Sequence, residues 1–297
     1  MENLKNLLGE NFRINEPMSR HTSFRTGGSA DYFLSPETED ELSAVLDMLR
    51  KQAVPVTVLG NCTNVIVSDR GIEGAVVSVL KLRSLSAPGD SVIAASCGTL
   101  MSEAAVFARD CSLSGFEFAH GIPGSVGGGV IMNAGAYGGE MSGTVKSVRY
   151  LDKENNIVTL DNEQMHFGYR SSILQSAEAV VLSAEFQLAE GNTEEISSRM
   201  KDFSGRRKEK QPLEYPSAGS IFKRPEGHYT GELIEKSGLK GFRCGGAAVS
   251  TKHAGFIINI ENGTSDDIIK LIGLIKDTVR EKFGVLLSAE VKFIGRE

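Results

Sequence analysis

The chain has 297 residues, of which 40% are apolar and 24% charged, and its net charge is −6. That is the make-up of an ordinary globular protein, long enough for two or three domains with a well-buried core. The acidic balance argues against a general nucleic-acid binder, and no stretch reaches the roughly 18 uninterrupted apolar residues of a membrane helix. The opening MENLKNLLGENFRINEP has no apolar core of the secretory type, so the expectation is a cytoplasmic protein with no membrane or nucleic-acid partner. Cys62, Cys97, Cys111 and Cys244 form no CxxC pair, and the five histidines complete no zinc spacing. The expectation is therefore free thiols, no disulfide and no metal.

In chain order, HTSFRTGG leads into ADYFLSP, which reads as a strand. Thr38-Glu39-Asp40-Glu41 has capping-box form ahead of an amphipathic helix with Leu42, Val45, Leu46 and Leu49 on one face. VPVTVLG, VIVSD and GAVVSVL follow as strands, completing the order of a small α/β unit. Between the first two lies the turn Gly60-Asn61-Cys62-Thr63-Asn64, whose amides and hydroxyls suit a diphosphate, although most such turns only connect strands. Neither GxGxxG ahead of a helix nor GxxxxGK[ST] occurs, so a dinucleotide would be held by some other fold. SVIAASCG predicts a strand, and Thr99 to Cys111 a helix with Leu100, Ala104, Phe107, Ala108 and Cys111 facing inward.

Eight of the nineteen positions from Gly121 to Gly139 are glycine, against an ordinary share of roughly 7%. Ile122, Val126, Val130, Ile131 and Met132 are threaded through them, so this is no flexible linker. Glycine in apolar sequence marks positive φ or a close approach. A phosphate-bearing ligand on a nest of amides and a helix start after Pro123 is one reading; tight turns between strands are the other.

TVKSVRYLD and NIVTLD then alternate as paired strands around Asn155-Asn156, and VVLSAEFQLAEG adds another. Residues 193–210 read as a polar helix ending in Arg206, Arg207, Lys208 and Lys210, a solvated helix end or a basic contact for substrate. From Pro212 the composition shifts to PLEYPSAGSIFKRPEGHYTG, then a short helix and the strands GAAVS and HAGFIINI. Ser265 or Thr264 caps the clearest helix, Ile268, Ile272, Ile275 and Val279 line it, and Gly284 stops it. LLSAEVKFI reads as a closing strand that carries Glu290.

Seven stretches in order carry a resemblance over nearly the whole length: HTSFRTGG, LGNCTNVIVSDRGIEG, GFEFAHGIPGSVGGGVIMNAGAYGGE, FGYRSSIL, PSAGSIFKRPEGHYTGELIEKSGLKG, GGAAVSTKHAGFIIN and FGVLLSAEV. Together they resemble the UDP-N-acetylenolpyruvoylglucosamine reductases (UDP-N-acetylmuramate dehydrogenases), in the shorter type II branch that PSAGS and the length match. The resemblance implies an α+β protein: a two-lobed FAD-binding domain of the vanillyl-alcohol-oxidase (PCMH) type, residues 1–85 and 86–203, and a C-terminal α/β substrate-binding domain, residues 204–297. It implies non-covalent FAD, NADPH as reductant, a UDP-sugar enolpyruvyl ether as substrate, peptidoglycan precursor synthesis as the setting, and a monomer or weak oligomer. Another FAD-dependent oxidoreductase on the same scaffold and a catalytically silent nucleotide-binding module are the alternatives. The first predicts flavin without turnover of the enolpyruvyl sugar nucleotide, and colour with bleaching by NADPH is the cheap discriminator.

Carried over residue by residue, the resemblance assigns the cofactor to Gly60, Asn61, Cys62, Thr63, Asn64, Gly124, Ser125, Gly127, Gly128, Asn133, Ala134 and Gly135. One departure is that the family's first loop is usually G-x-G-S-N, whereas Cys62 and Thr63 stand third and fourth here. Cysteine tolerates positive φ poorly, so either that backbone is within reach of an L-residue or FAD is held less tightly there. Arg170 of FGYRSS would bind the carboxylate, Ser220 of SAGSIFK would give a proton, and Glu290 of SAEV would be a second acid or an aligning partner. Without the resemblance their readings are an ion pair, a turn cap and a salt bridge. Lys223 and Arg224, with Lys210 and Tyr215, are the expected contacts for the substrate's diphosphate.

Overall fold

The computed structural model describes residues 1–297. They divide into two compact units: Met1–Ile14, Tyr32–Asn61 and Gly74–Arg206 form the first, and Asn15–Asp31, Cys62–Glu73 and Arg207–Glu297 the second. Each has its own hydrophobic core, one running from Leu4 to Met200 and the other built on Phe24, Ile66, Ile221, Ile234 and Ile272.

The largest sheet of the first unit is antiparallel and five-stranded, in the order Ile157–Asp161, Val145–Leu151, Val180–Gln187, Val92–Ser96, Leu85–Gly89. Its first two strands meet at the expected turn, where Asn155 takes φ 63° and the Asp152 carboxylate accepts from the amides of Glu154 and Asn156. A second sheet has the order Phe12–Pro17, Ser29–Leu34, Ile72–Ser78, Val56–Leu59. Val56–Leu59 runs parallel to the 75–78 stretch, as a strand on either side of a crossover must. Val65–Val67, expected in the same α/β unit, pairs instead with the end of the chain.

Helix Glu39–Lys51 starts at Thr38, whose Oγ1 accepts from the Glu41 amide at 3.1 Å, and it buries Leu42, Val45, Leu46 and Leu49 as its periodicity requires. The returning bond of the capping box falls one residue early, because the Glu41 carboxylate takes the Glu37 amide. Helix Met101–Asp110 buries Ala104 and Ala108 as expected, but its inner face is rotated toward Met101 and Ala105, while Phe107 and Cys111 pack only at the margin. Both sets obey a helical period, and the one richer in alanine wins because small side chains let the helix lie close against its neighbours.

The second unit holds an antiparallel sheet, Arg243–Cys244, Ala247–Val249, Ile257–Asn259, covered by helix Ser265–Phe283. Thr264 is the cap: its Oγ1 accepts from the Asp267 amide and the Asp267 carboxylate accepts from the Thr264 amide, both at 3.1 Å. These amides, the Thr264 backbone bond first, hold the Asp267 carboxyl below the usual range. Ile268, Leu271, Ile272, Ile275 and Val279 are buried, and Gly284 ends the helix at φ 69°. The closing strand is shorter than LLSAEVKFI suggests. Only Lys292–Ile294 pairs regularly, parallel to Val65–Val67; Ala289 makes a single bridge to Phe222, so Glu290 precedes the strand.

Candidate active site

In the first unit, the glycine-rich segment folds as a 3₁₀ turn, Glu117–Gly121, a short helix, Val126–Ile131, and a hairpin, Gly135–Ala136 with Gly139–Glu140. The glycines do different jobs. A Cβ at Gly127 would lie 2.9 Å from Cys97 Cβ, and one at Gly129 would lie 2.6 Å from Met101 Sδ, so these two allow tight packing. Gly60 and Gly128 instead border Ser125. A Cβ at Gly60 would run into the Ser125 Oγ, and one at Gly128 would sit 3.7 Å from it. That hydroxyl belongs to a residue only 2% exposed, and it has no hydrogen-bond partner in the protein. Although Ser125 occupies the cap position of the short helix, its side chain makes no capping bond. A buried hydroxyl left unmatched, beside a helix start and a glycine with no room for a side chain, has a donor free for an acceptor from outside the chain. Asn61, next to Gly60, ties the turn down by donating to the Pro123 carbonyl at 2.5 Å.

Arg170 is held against the same segment. Gly168 and Ser171 pair across a tight turn that puts Arg170 at φ 55°, a left-handed conformation uncommon outside glycine. Its guanidinium donates to the carbonyls of Asn133 at 3.3 Å and Gly135 at 2.9 Å and lies over the Tyr169 ring. Asn133, 1% exposed and itself at φ 42°, closes the arrangement: its amide nitrogen donates to the Gly168 carbonyl and its oxygen accepts from the Ser142 amide, both at 2.9 Å. Gly135, Asn133 and Arg170 are thus brought together, with Ala134 between them in the chain. Tyr137, at φ 54° in the hairpin turn, stacks on Phe203 at 4.6 Å and 8°. His120 has an unpartnered buried Nδ1, and burial, then Arg109, pushes its pKa down.

Cys62, Thr63 and Asn64 belong to the second unit. Cys62 takes φ 49°, at the edge of the small left-handed region that L-residues reach. Its thiol is buried and pushed up to about 12 by that burial. The Ser23 amide donates to the Cys62 carbonyl at 3.2 Å, and the Ser23 hydroxyl is buried without a partner. Sequence reasoning passed over Ser23; the only signal was its place in HTSFRTGG, whose Thr22 and Thr26 lock each other and whose Arg25 sits at φ 58°.

The second unit also brings the segment carrying Ser220 against the segment carrying Glu290. Residues 220–223 run as an irregular strand with Ser220 bridged to Phe256 on one side, while the Ile221 carbonyl accepts from the Glu290 amide at 2.8 Å on the other. Lys223 follows, its amide bonded to the Ser288 carbonyl. Arg224 curls back on its own loop, donating to the His228 carbonyl and lying 3.9 Å from the Tyr229 ring centre. Lys210 ends helix Thr193–Lys210, and Tyr215 is 43% exposed in the loop beyond it.

Two family models match the chain. One described as the C-terminal domain of UDP-N-acetylenolpyruvoylglucosamine reductase covers residues 211–294, and a FAD binding domain covers residues 30–161. A reductase of that name from Caldanaerobacter subterraneus subsp. tengcongensis is 50% identical over 298 residues, spanning 100% of this chain and 98% of the relative. The chain belongs to the UDP-N-acetylenolpyruvoylglucosamine reductase family. Another reductase of that name, from Staphylococcus carnosus, is 47% identical over 99% of this chain and 96% of its own. The crystal structure of the family's enzyme from Thermus caldophilus superposes with a TM-score of 0.81 at 32% identity, covering 95% of this chain and 98% of that one. A glucose dehydrogenase, Phl p 4.0202, shares the fold over 64% of this chain at 14% identity, with a TM-score of 0.50. In the terms of the reductase family, Gly60 and Ser125 fall in the flavin-domain match and Ser220 and Glu290 in the C-terminal match; Arg170 lies in the sequence between the two.

Proposed function

We propose that the chain reduces the enolpyruvyl group of UDP-N-acetylenolpyruvoylglucosamine to give UDP-N-acetylmuramate for peptidoglycan precursor synthesis, with FAD as its cofactor and NADPH as its reductant. The observation that carries this is full-length identity of 50% to a reductase of that name, with both family models in place. In this reading residues 1–85 and 86–203 serve the flavin and 204–297 the substrate, in a cytoplasmic monomer or weak oligomer.

The residues present fit a phosphate-bearing flavin, on the evidence of the unmatched Ser125 hydroxyl, the Cβ-free space at Gly60 and the left-handed Cys62. The holders would be Gly60, Asn61, Cys62, Thr63 and Asn64 in one loop and Gly124, Ser125, Gly127, Gly128, Asn133, Ala134 and Gly135 in the other. When bound, FAD supplies two-electron carriage between NADPH and the enolpyruvyl double bond.

What the chain must supply is charge and a proton. Hydride addition to an unsaturated carboxylate leaves an enolate-like, extra-negative group on the substrate. Arg170 meets that charge with a planar guanidinium that fits a carboxylate with two parallel bonds. Ser220 delivers the proton to the adjacent carbon; a hydroxyl is a weak acid, but an enolate carbon is a strong enough base to take its proton. Glu290, whose backbone is pinned to Ile221 beside Ser220, aligns the intermediate or acts as a second acid. Lys223 and Arg224, with Lys210 and Tyr215, take the diphosphate.

The test is a set of spectra. Purified protein should be yellow, NADPH should bleach it, and the enolpyruvyl sugar nucleotide should restore the colour. Ser220→Ala should leave bleaching nearly intact and slow recolouring by about 10²-fold or more, the scale of a lost general acid. Equal slowing of both halves would make Ser220 structural, and a colourless protein that refuses FAD would end the reading altogether.

A further inference from the structure

Beside Ser220 lies the turn Ser250-Thr251-Lys252-His253-Ala254-Gly255-Phe256. It begins with the Ser250 hydroxyl accepting from the amides of Lys252 and His253, at 3.1 and 3.2 Å. The His253 Nδ1 then accepts from the Gly255 amide at 3.1 Å. An imidazole that accepts at Nδ1 carries its proton at Nε2, so this bond requires the neutral ring. Burial first, then Lys240, pushes the His253 pKa down and keeps the ring neutral, against the opposing pull of its own backbone. The Gly255 carbonyl continues the chain of bonds by accepting from the Ile221 amide at 3.1 Å, one residue past Ser220. Phe256 forms the bridge to Ser220 itself, and its ring stands edge-on to His253 at 5.0 Å.

Gly255 shows how close the groups are. A Cβ there would lie 3.0 Å from His253 Cε1 and 4.0 Å from Ser220 Oγ, so the ring and the hydroxyl flank the same spot and are at most about 7 Å apart. The start of helix Thr230–Lys236 packs against the same edge of the ring, where a Cβ on Gly231 would be 3.6 Å from the same His253 carbon.

We infer that His253 is a positioning residue for Ser220: by holding the Gly255 amide it fixes the main chain against which Ser220 and Ile221 are bonded, and so fixes where the hydroxyl stands. This rests on the reading of Ser220 as the proton donor. It predicts a loss confined to the half of the reaction that needs the proton, because Ser220 is called on only in that half.

The experiment compares the two half-reactions by stopped flow in flavin-loaded His253→Leu, His253→Asn, Gly255→Ala and Ser220→Ala. Leucine removes the acceptor and leaves the buried Gly255 amide unmatched. Recolouring by the enolpyruvyl substrate should then slow on the order of 10²-fold, the effect of moving a reacting group by about 1 Å, with bleaching by NADPH unchanged. Asparagine keeps an acceptor oxygen near the Nδ1 position and should recover most of the rate. Gly255→Ala, which leaves the amide bond in place but wedges a methyl between ring and hydroxyl, should slow the same half only. If His253→Leu misfolds, the asparagine and alanine variants still carry the test. The inference is overturned if the His253 and Gly255 variants slow both halves alike, or if asparagine behaves as leucine does. It also fails alone if Ser220→Ala slows recolouring while the other three do not. Should Ser220→Ala itself recolour normally, the proton-donor reading is what has failed.

Discussion

Removing the Ser125 hydroxyl should move the stability of the apoprotein and its affinity for FAD in opposite directions. The Oγ is buried and unmatched, and such a group costs about 1–3 kcal/mol. A cap substitution usually loses about 1 kcal/mol, but here the side chain makes no capping bond, so that loss does not arise. Ser125→Ala should therefore stabilise the apoprotein by about 1 kcal/mol, or roughly 2–4 °C in Tm for a domain of 150–250 residues. With FAD present the hydroxyl is expected to donate to a phosphate oxygen, a bond to a charged group worth about 1.5–3 kcal/mol. The Kd for FAD should then rise roughly 10- to 150-fold. Thermal melts of apoprotein and flavin-fluorescence titrations check the two halves of the prediction separately. A lower apo Tm with unchanged FAD affinity would refute the reasoning, because it would show the hydroxyl to be a structural cap.

Arg170→Lys keeps the charge but cannot span the Asn133 and Gly135 carbonyls or grip a carboxylate with two bonds. It should lower kcat/KM for the sugar nucleotide by about 10²-fold, the scale of one lost donor to a developing oxyanion, while bleaching by NADPH proceeds at the parent rate. Thr264→Ala removes the cap of helix Ser265–Phe283 and should cost about 1 kcal/mol, read as a lower urea midpoint at constant m-value. Burial raises the thiols of Cys62 and Cys97 from 9.0 to about 12, so the unfolded chain gives up these protons first as pH rises. Their contribution is intact below pH 9 and is lost between there and pH 12, by about 1.4 kcal/mol per pH unit for each thiol. Urea midpoints at pH 8 and 10 should fall less in Cys62→Ala/Cys97→Ala than in the parent, and equal falls would contradict the burial.

What could be read from the chain were features fixed by neighbours in sequence. Helix Thr193–Lys210 follows from its polar run, and a cap at Thr264 or Ser265 and the Gly284 stop follow from residue types whose backbone preferences are local; the structure makes Thr264 the cap. Where two answers satisfied the same period, only packing decided, as in helix Met101–Asp110 with its alanine face inward. The end of the chain misled because LLSAEVKFI has the composition of a strand, yet its first half is committed to residues 221–223 and only Lys292–Ile294 pairs with Val65–Val67. The glycines of the central segment were visible as a group but not by duty. That Gly127 and Gly129 serve packing while Gly60 and Gly128 border an unmatched hydroxyl depends on Cys97, Met101 and Ser125, which come near only in three dimensions. His253 was invisible for the same reason: its partner is two residues away, but the purpose of that bond lies at Ile221.

The placement of Arg170 depends on a neutral side chain. Asn133 gives one hydrogen bond and receives another from opposite ends of a single carboxamide, and these two bonds join residues 133–142 to the turn at 168. An aspartate there has the same outline but would turn an oxygen toward the Gly168 carbonyl, replacing an attraction with a repulsion between lone pairs. A conversion that alters one atom, such as deamidation, would therefore loosen the cationic end of this site while leaving every charged residue in it untouched.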